Sequence, residues 1–362
     1  MKGASALLRT LAAAGVDVCF SNPGTSEMQF VAALDEVADV RAVLCLFEGV
    51  ATGAADGFGR MAGRPAATLL HLGPGLGNGL ANLHNARRAR TPVVNIVGDH
   101  ATYHKKYDAP LESDIDAVAG SVSGWLRRPM TAAAVGGDAA EAVAAAMGPP
   151  GRVATLVVPA DVSWDEGALP APPPARAARA AVGDDRVEAV AKALVSGERD
   201  VLLVGGSVLG DDDALRAASR VARATGSTLL AETFGSRLRR GAGLPELDRV
   251  QYFGELAAAQ LAGARHLVLV DALSPVTFFA YPGKPSDLVP EGCEVHVLAS
   301  AGEDAVGALA HLADRVAADE RPFVQEPHRP DPPAGSAPLT AQTLAQAVGA
   351  LIPENTIVSD EG

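Results

Sequence analysis

Four short apolar runs punctuate the first hundred residues: Val16 to Ser21, Arg41 to Phe47, Ala66 to His71 and Val93 to Gly98. Each alternates with a segment of helical periodicity. Strands that are apolar on both faces belong in a parallel sheet with helices packed over each side, because the crossover connections put the helices there. The intervening helices read as 3–14, ended by Gly15; Glu27 to Val37, capped by Thr25 or Ser26; Gly49 to Ala62; and a helix reaching Arg90 after a glycine-rich turn from Gly73 to Gly79. The reading is α/β, and this first domain is expected to span 1–165.

A Pro/Ala-rich stretch at 166–183 reads as a semi-rigid linker. A second α/β unit is expected over 184–320, with strands Val201–Val204, Ser227–Ala231, His266–Val270 and Glu294–Leu298, and a helix from Asp212 to Ala224 after the turn Gly205-Gly206-Ser207. A Pro-rich spacer at 321–338 closes it. A helix from Thr340 to Leu351 and a strand beginning at Thr356 then read as the opening, over 339–362, of a third α/β domain whose remainder lies outside this chain. Two doubly wound parallel-sheet domains and the start of a third suit 362 residues, too many for one ordinary core.

The balance of 30 basic against 43 acidic residues gives a net charge of −13, which argues against nucleic-acid or anionic-membrane partners. Cys19, Cys45 and Cys293 show no paired spacing, so neither a disulfide framework nor a cysteine zinc site follows. The N-terminal apolar residues are broken by Arg9 and Asp17, which excludes a spanning helix and argues against a signal peptide. A cytoplasmic protein is expected.

Chemistry concentrates at three successive strand ends, which carry Asn22-Pro23-Gly24-Thr25, then Phe47-Glu48-Gly49, then His71 with Gly73-Pro74-Gly75 and Asn78. In an open parallel sheet such ends share one rim and can converge on a ligand. Taken singly, each has an ordinary structural reading: a glutamate complementing a helix dipole, a strand-to-helix turn, a hydrogen-bonded histidine. The glycines do not follow the dinucleotide spacing, so a nucleotide enzyme with two Rossmann-like halves is the weaker alternative.

Taken together, the strings FSNPGTSEMQF, LFEGVATGAADGFGRMAGRPA and HLGPGLGNGLANLHNARRARTPVVNIVGD resemble the thiamine diphosphate-dependent 2-oxo acid enzymes, a family that includes acetolactate synthase, benzoylformate decarboxylase and pyruvate decarboxylase. The Glu48 to Arg60 run is the most specific part; the Gly-Pro-Gly is similar to acetolactate synthase, and the Asn-Pro-Gly-Thr and His71 to benzoylformate decarboxylase. The resemblance is strong to about residue 165 and looser through Val201 to Gly206 and Tyr281 to Gly283.

The resemblance implies that Glu48 hydrogen-bonds the cofactor's aminopyrimidine ring, that Asn22, Pro23, Gly24 and Thr25 line that end, and that Gly73, Pro74, Gly75 and Asn78 form a second wall. It implies thiamine diphosphate and Mg2+, with the metal ligands outside this chain segment; the second unit binds FAD in acetolactate synthases but not in the decarboxylases, and Val201 to Ser207 reads here as a Rossmann-like spacer without a ligand, so FAD is not expected. His71 matches a proton-transferring histidine of benzoylformate decarboxylase, whereas that enzyme's second histidine is replaced near Phe278 or Phe279, a departure that favours carboligation; His100 and His104 are alternative proton carriers or solvated loop residues. The implied reaction is decarboxylation of a small 2-oxo acid with transfer of the acyl unit to a second carbonyl; a simple decarboxylase is the alternative, and a non-catalytic subunit follows if the natural chain ends at 362. The implied assembly is a homodimer or dimer of dimers with the site between subunits.

Overall fold

The central apolar runs are buried on both sides. In the computed structural model, which describes residues 1–360, they form strands of a parallel sheet with helices over both faces. The first unit runs α1 (Gly3–Ala13), β1 (Val18–Asn22), α2 (Met28–Glu36), β2 (Arg41–Leu44), α3 (Glu48–Ala62), β3 (Ala66–Leu70), α4 (Leu72–Ala89), β4 (Val93–Asp99), α5 (Ile115–Gly120), β5 (Trp125–Arg127), α6 (Ala132–Met147), β6 (Val153–Pro159) and α7 (Ala160–Trp164). Its six strands lie in the order β2-β1-β3-β4-β6-β5, all parallel.

Alternation along the strands divides the core in two. Ala67, Leu69, Val94, Ile96, Ala154 and Leu156 face Leu7, Leu8 and Leu11 of α1 and the alanines of α6. Ala66, Leu70, Val93, Val97, Val153 and Val157 face α3, α4 and α5. The few polar residues inside satisfy one another: Thr68 donates to Asn95 (2.7 Å), whose amide donates to Thr155 (3.0 Å).

Three expectations are corrected. The run from Arg41 to Phe47 is not a buried strand: β2 stops at Leu44 on the sheet margin, where Leu44 is 71% and Leu46 94% exposed. The stretch from Gly73 to Gly79 is not a turn but the first two turns of α4; Pro74 is tolerated there because the first N–H groups of a helix have no intrahelical partner. Thr356 to Ser359 form no strand, and Glu361 and Gly362 of the expected third domain lie outside the described residues.

The second unit runs α8 (Asp184–Leu194), β7 (Asp200–Val204), α9 (Asp212–Thr225), β8 (Thr228–Ala231), β9 (Asp248–Arg249), α10 (Gly254–Leu261), β10 (His266–Val270), β11 (Glu294–Ala299) and α11 (Ala305–Val316), with strands in the parallel order β11-β10-β7-β8-β9. It too is covered on both faces: α8, α9 and α11 on one, α10 on the other. The stretch before it is laid along the first unit, where Ala171 N–H donates to Thr10 Oγ1 (3.0 Å) and the backbone of Leu169 crosses α6 so closely that a Cβ on Gly136 would meet its carbonyl at 2.1 Å. The two units are joined by the Arg90–Asp271 ion pair (2.6 Å) and by Arg60 donating to the Ser236 carbonyl (3.4 Å). A final helix, α12 (Ala341–Leu351), is capped by reciprocal bonds between Thr340 and Thr343. Among the described residues no helix is long and apolar enough to cross a membrane.

Candidate active site

The strand order β2-β1-β3 sets the three motif-bearing ends side by side. Asn22 closes β1, and its amide donates to the Cys45 carbonyl (2.7 Å), holding the segment that leads into α3. Glu48 is the first residue of α3 and only 8% exposed. Its position follows from the close approach of α3 and α4. Thr52 Oγ1 donates to the Gly79 carbonyl (3.1 Å), Asn82 donates to the Gly49 carbonyl (2.7 Å), and a Cβ on Gly79 would press on Thr52 at 2.9 Å.

At that approach Asn78 donates to Glu48 Oε2 (3.0 Å). Oε1 has no hydrogen-bond partner among the described residues, and it lies 3.2 Å from where Gly75 would carry a Cβ. Gly75 thus lets α4 come close to this carboxylate, since a side chain there would crowd both Oε1 and the His71 Cβ (3.4 Å).

His71 ends the third strand run and precedes α4. Its Nδ1 meets Glu27 Oε2 at 2.7 Å. Gly24 is required beneath it, because a Cβ there would overlap the imidazole ring at 2.4 Å, and Gly24 N–H donates to the same Glu27 oxygen (2.8 Å). Thr25 opens the short turn that carries Glu27 and is itself exposed.

Glu27 is the residue sequence reasoning missed. It is 3% exposed, and burial pushes its carboxyl above the ordinary range against the opposing pull of Gly24 N–H and His71. Its second oxygen is buried without a partner. The signal was present: glutamate three residues after a turn residue is a capping pattern, and Glu27 fulfils it toward Gly24.

The other expected residues distribute less evenly. Gly73 turns from Glu48 toward Ser113, whose Oγ a Cβ would meet at 2.0 Å, and Pro74 is exposed. Between His71 and Gly73, Leu72 adopts φ 51°, a left-handed conformation rare for a leucine and a mark of local strain at this rim. His100 and His104 meet with their rings tilted (5.4 Å) and His104 also meets Tyr107 (5.8 Å), beside a charged group in which Asp99 is held by Lys105 and Arg128; no hydrogen bond links them to Glu48 or His71. Asp56 and Arg60 of the most specific run form a bidentate pair that also receives Thr91 (2.7 Å), a structural pin rather than part of the rim.

In the second unit, Phe278 and Phe279 join Phe234 and Tyr252 in an exposed aromatic cluster that contains no histidine. The loop after β7, where a nucleotide phosphate would bind, has its donors engaged: Gly206 N–H goes to Glu232 (2.9 Å), and Ser207 N–H and Oγ go to Asp271 (2.8 and 2.7 Å).

Comparison with known proteins identifies relatives of the chain. Residues 1–119 match the family profile described as "Thiamine pyrophosphate enzyme, N-terminal TPP binding domain". The whole chain is 61% identical to 69% of "Putative acetolactate synthase large subunit IlvX" of Mycobacterium tuberculosis. Over 96% of its length it is 30% identical to 68% of a benzoylformate decarboxylase of Pseudomonas aeruginosa. In structure it superposes with a TM-score of 0.76 on the thiamine diphosphate-dependent 4-hydroxybenzoylformate decarboxylase of Rhodococcus jostii, covering 93% of this chain and 66% of that one at 20% identity. The chain thus spans about two thirds of the length of these relatives. With Glu48 set at the rim of the first sheet and the same sequence signature running from end to end, the chain belongs to the thiamine diphosphate-dependent enzyme family of acetolactate synthases and benzoylformate decarboxylases.

Proposed function

We propose that this chain supplies the pyrimidine-binding half of the site in an enzyme that decarboxylates a small 2-oxo acid and transfers the acyl unit to a second carbonyl compound. The observation that carries the reading is Glu48: a buried carboxylate at a helix N-terminus, one oxygen fixed by Asn78 and the other without a hydrogen-bond partner among the described residues. That donor set fits the protonatable ring nitrogen of an aminopyrimidine. When bound, thiamine diphosphate supplies the electron sink that lets carbon dioxide leave.

Glu48 would hold a proton at the ring nitrogen of a bound aminopyrimidine. Asn78 keeps the carboxylate from rotating. Asn22, through Cys45, positions the segment that delivers Glu48. Mg2+, the partner ion for a diphosphate, would be held by residues outside this chain segment. FAD is not expected, since Glu232 and Asp271 already take the phosphate-binding donors of the second unit.

A homodimer or dimer of dimers completes the site in this reading. Leu44, Leu46, Phe47 and Val50 support it: they lie beside Glu48 and expose a contiguous stretch of apolar surface. A second reading, simple decarboxylation to an aldehyde, is favoured by the His71–Glu27 pair, which can deliver the proton that replaces carbon dioxide. The aromatic cluster around Phe278 offers no second acid and favours capture by a carbonyl instead.

The test uses the complete polypeptide with thiamine diphosphate and Mg2+. Glu48→Gln should lower turnover by about 10²–10⁴-fold while leaving circular dichroism unchanged. Near-normal turnover in that variant would remove the reading. Product analysis with pyruvate and with benzoylformate separates the two reactions, a hydroxyketone marking carboligation and an aldehyde marking decarboxylation.

A further inference from the structure

The N-terminal edge of the second sheet holds a cluster that the reaction does not use. His266 opens β10 and stands in register with Glu294, which opens the neighbouring β11; His296 follows two residues later, on the same face as Glu294. The register brings His266 Nδ1 to 3.1 Å from His296 Nε2, while Glu294 Oε2 lies 3.8 Å from the first and 3.7 Å from the second. We propose that His266, His296 and Glu294 form a divalent transition-metal site, with Zn2+ as its ion.

Spacing, an outer-shell partner and local charge support this. Two imidazole nitrogens on one tetrahedral zinc ion sit about 3.3–3.4 Å apart, close to the spacing already present. The carboxylate needs to close by only a few tenths of an ångström, and its side chain is 73% exposed and free to do so.

The other nitrogen of His266, Nε2, is 3.1 Å from Glu198 Oε2. A carboxylate there makes Nε2 the protonated nitrogen and leaves the Nδ1 lone pair directed into the cluster, the outer-shell arrangement that orients metal-bound histidines. The local charge also attracts a cation: Glu198, Glu294 and the buried Asp200 face the site against Arg265, itself paired with Glu198.

In the metal-free protein one ring donates to the other across the 3.1 Å gap. Binding exchanges that hydrogen bond for two metal–nitrogen bonds, with His296 shifting its proton from Nε2 to Nδ1 and no electron transferred. Imidazole with a single carboxylate selects zinc over magnesium, so the ion proposed for the diphosphate does not compete. The site lies at the strand ends opposite the Gly206 loop, and an ion there would fasten the edge strand β11 to β10.

The experiment is titration of the chelator-treated full chain with ZnCl2 in excess Mg2+, read by calorimetry, with Co2+ as a spectroscopic substitute. Expected are one equivalent of Zn2+ per chain and visible Co2+ bands typical of tetrahedral ligation. His296→Ala should abolish both. Glu294→Gln, on an exposed side chain that the fold does not need, should weaken binding at least tenfold. Glu198→Gln should weaken it by about 10–100-fold. His311→Ala, remote from the cluster, should change nothing. No uptake by the wild-type chain, or uptake unchanged in Glu294→Gln and His296→Ala, would overturn the proposal.

Discussion

Gly98→Ala is the sharpest probe of the rim. Gly98 lies in β4, and a Cβ built on it would sit 1.7 Å from Glu27 Oε1 and 2.5 Å from its carboxyl carbon. The Glu27 side chain is 1% exposed, so it has no solvent to swing into without leaving its place. Leaving breaks the bonds from Gly24 N–H (2.8 Å) and His71 (2.7 Å). Hydrogen bonds to a charged group are worth about 1.5–3 kcal/mol each, and forcing a methyl into a filled site adds about 1–3 kcal/mol. Release of a carboxylate whose burial is unfavourable offsets part of this, leaving a net loss of about 2–4 kcal/mol.

Both tryptophans, Trp125 and Trp164, belong to the first unit, so their fluorescence during urea unfolding follows that unit alone. With a slope of about 2–3 kcal/mol/M, the midpoint should fall by about 1 M. Glu27→Ala removes the obstacle, and in that background Gly98→Ala should cost less by about 1.5 kcal/mol or more. An equal cost in both backgrounds, or a midpoint that does not move, would refute the argument that Gly98 exists to seat Glu27.

Other consequences concern the second unit and its junction. Asp271 sits at φ 51° and pairs with Arg90; Asp271→Asn keeps a residue that tolerates this backbone but removes the charge. It should lower stability by about 1–3 kcal/mol and separate the calorimetric transitions of the two units; a single unshifted transition would count against the junction. Burial raises the pKa of Glu232 above the ordinary 4.5, outweighing the help of Gly206 N–H and Arg90. A group with a raised folded-state pKa contributes stability below its unfolded value and loses it as pH rises through the folded one. Glu232→Gln, which keeps a carbonyl for Gly206, should therefore match wild type near pH 4 and gain on it toward pH 7, measured as urea midpoints. A constant difference across that range would refute the sign.

Much of this molecule was legible before its coordinates. Val201–Val204 and His266–Val270 are apolar on both faces, and only a covered parallel sheet accommodates them. Glu48, Asn78 and Gly75 were placed on one rim because strand ends in such a sheet point the same way. What failed had physical causes. The glycines after His71 looked like a turn, yet close packing of α4 on α3 required small residues inside a helix, and tertiary contact overrode propensity. The strand at Arg41 was read from its leucines as buried, but apolar composition does not tell an interior strand from a margin. The three-residue β5 gives too short a period to register. For Glu27 only the capping pattern toward Gly24 was legible; its pairing with His71 and its seat against Gly98, 71 residues on, are set by the fold.

The margin formed by β2 has a cost for the solitary chain. Its outer row of amides and carbonyls faces no strand, and the leucines around it are bare. Any extended peptide can add itself there, so a lone subunit kept at high concentration should drift toward sticky, ladder-like aggregates. The brevity of β2, four residues opened by the charged Arg41, limits that growth. The place most in need of shielding thus adjoins Glu48, the carboxylate proposed to meet the cofactor, so that shielding this margin and assembling the proposed site would fall to the same few residues.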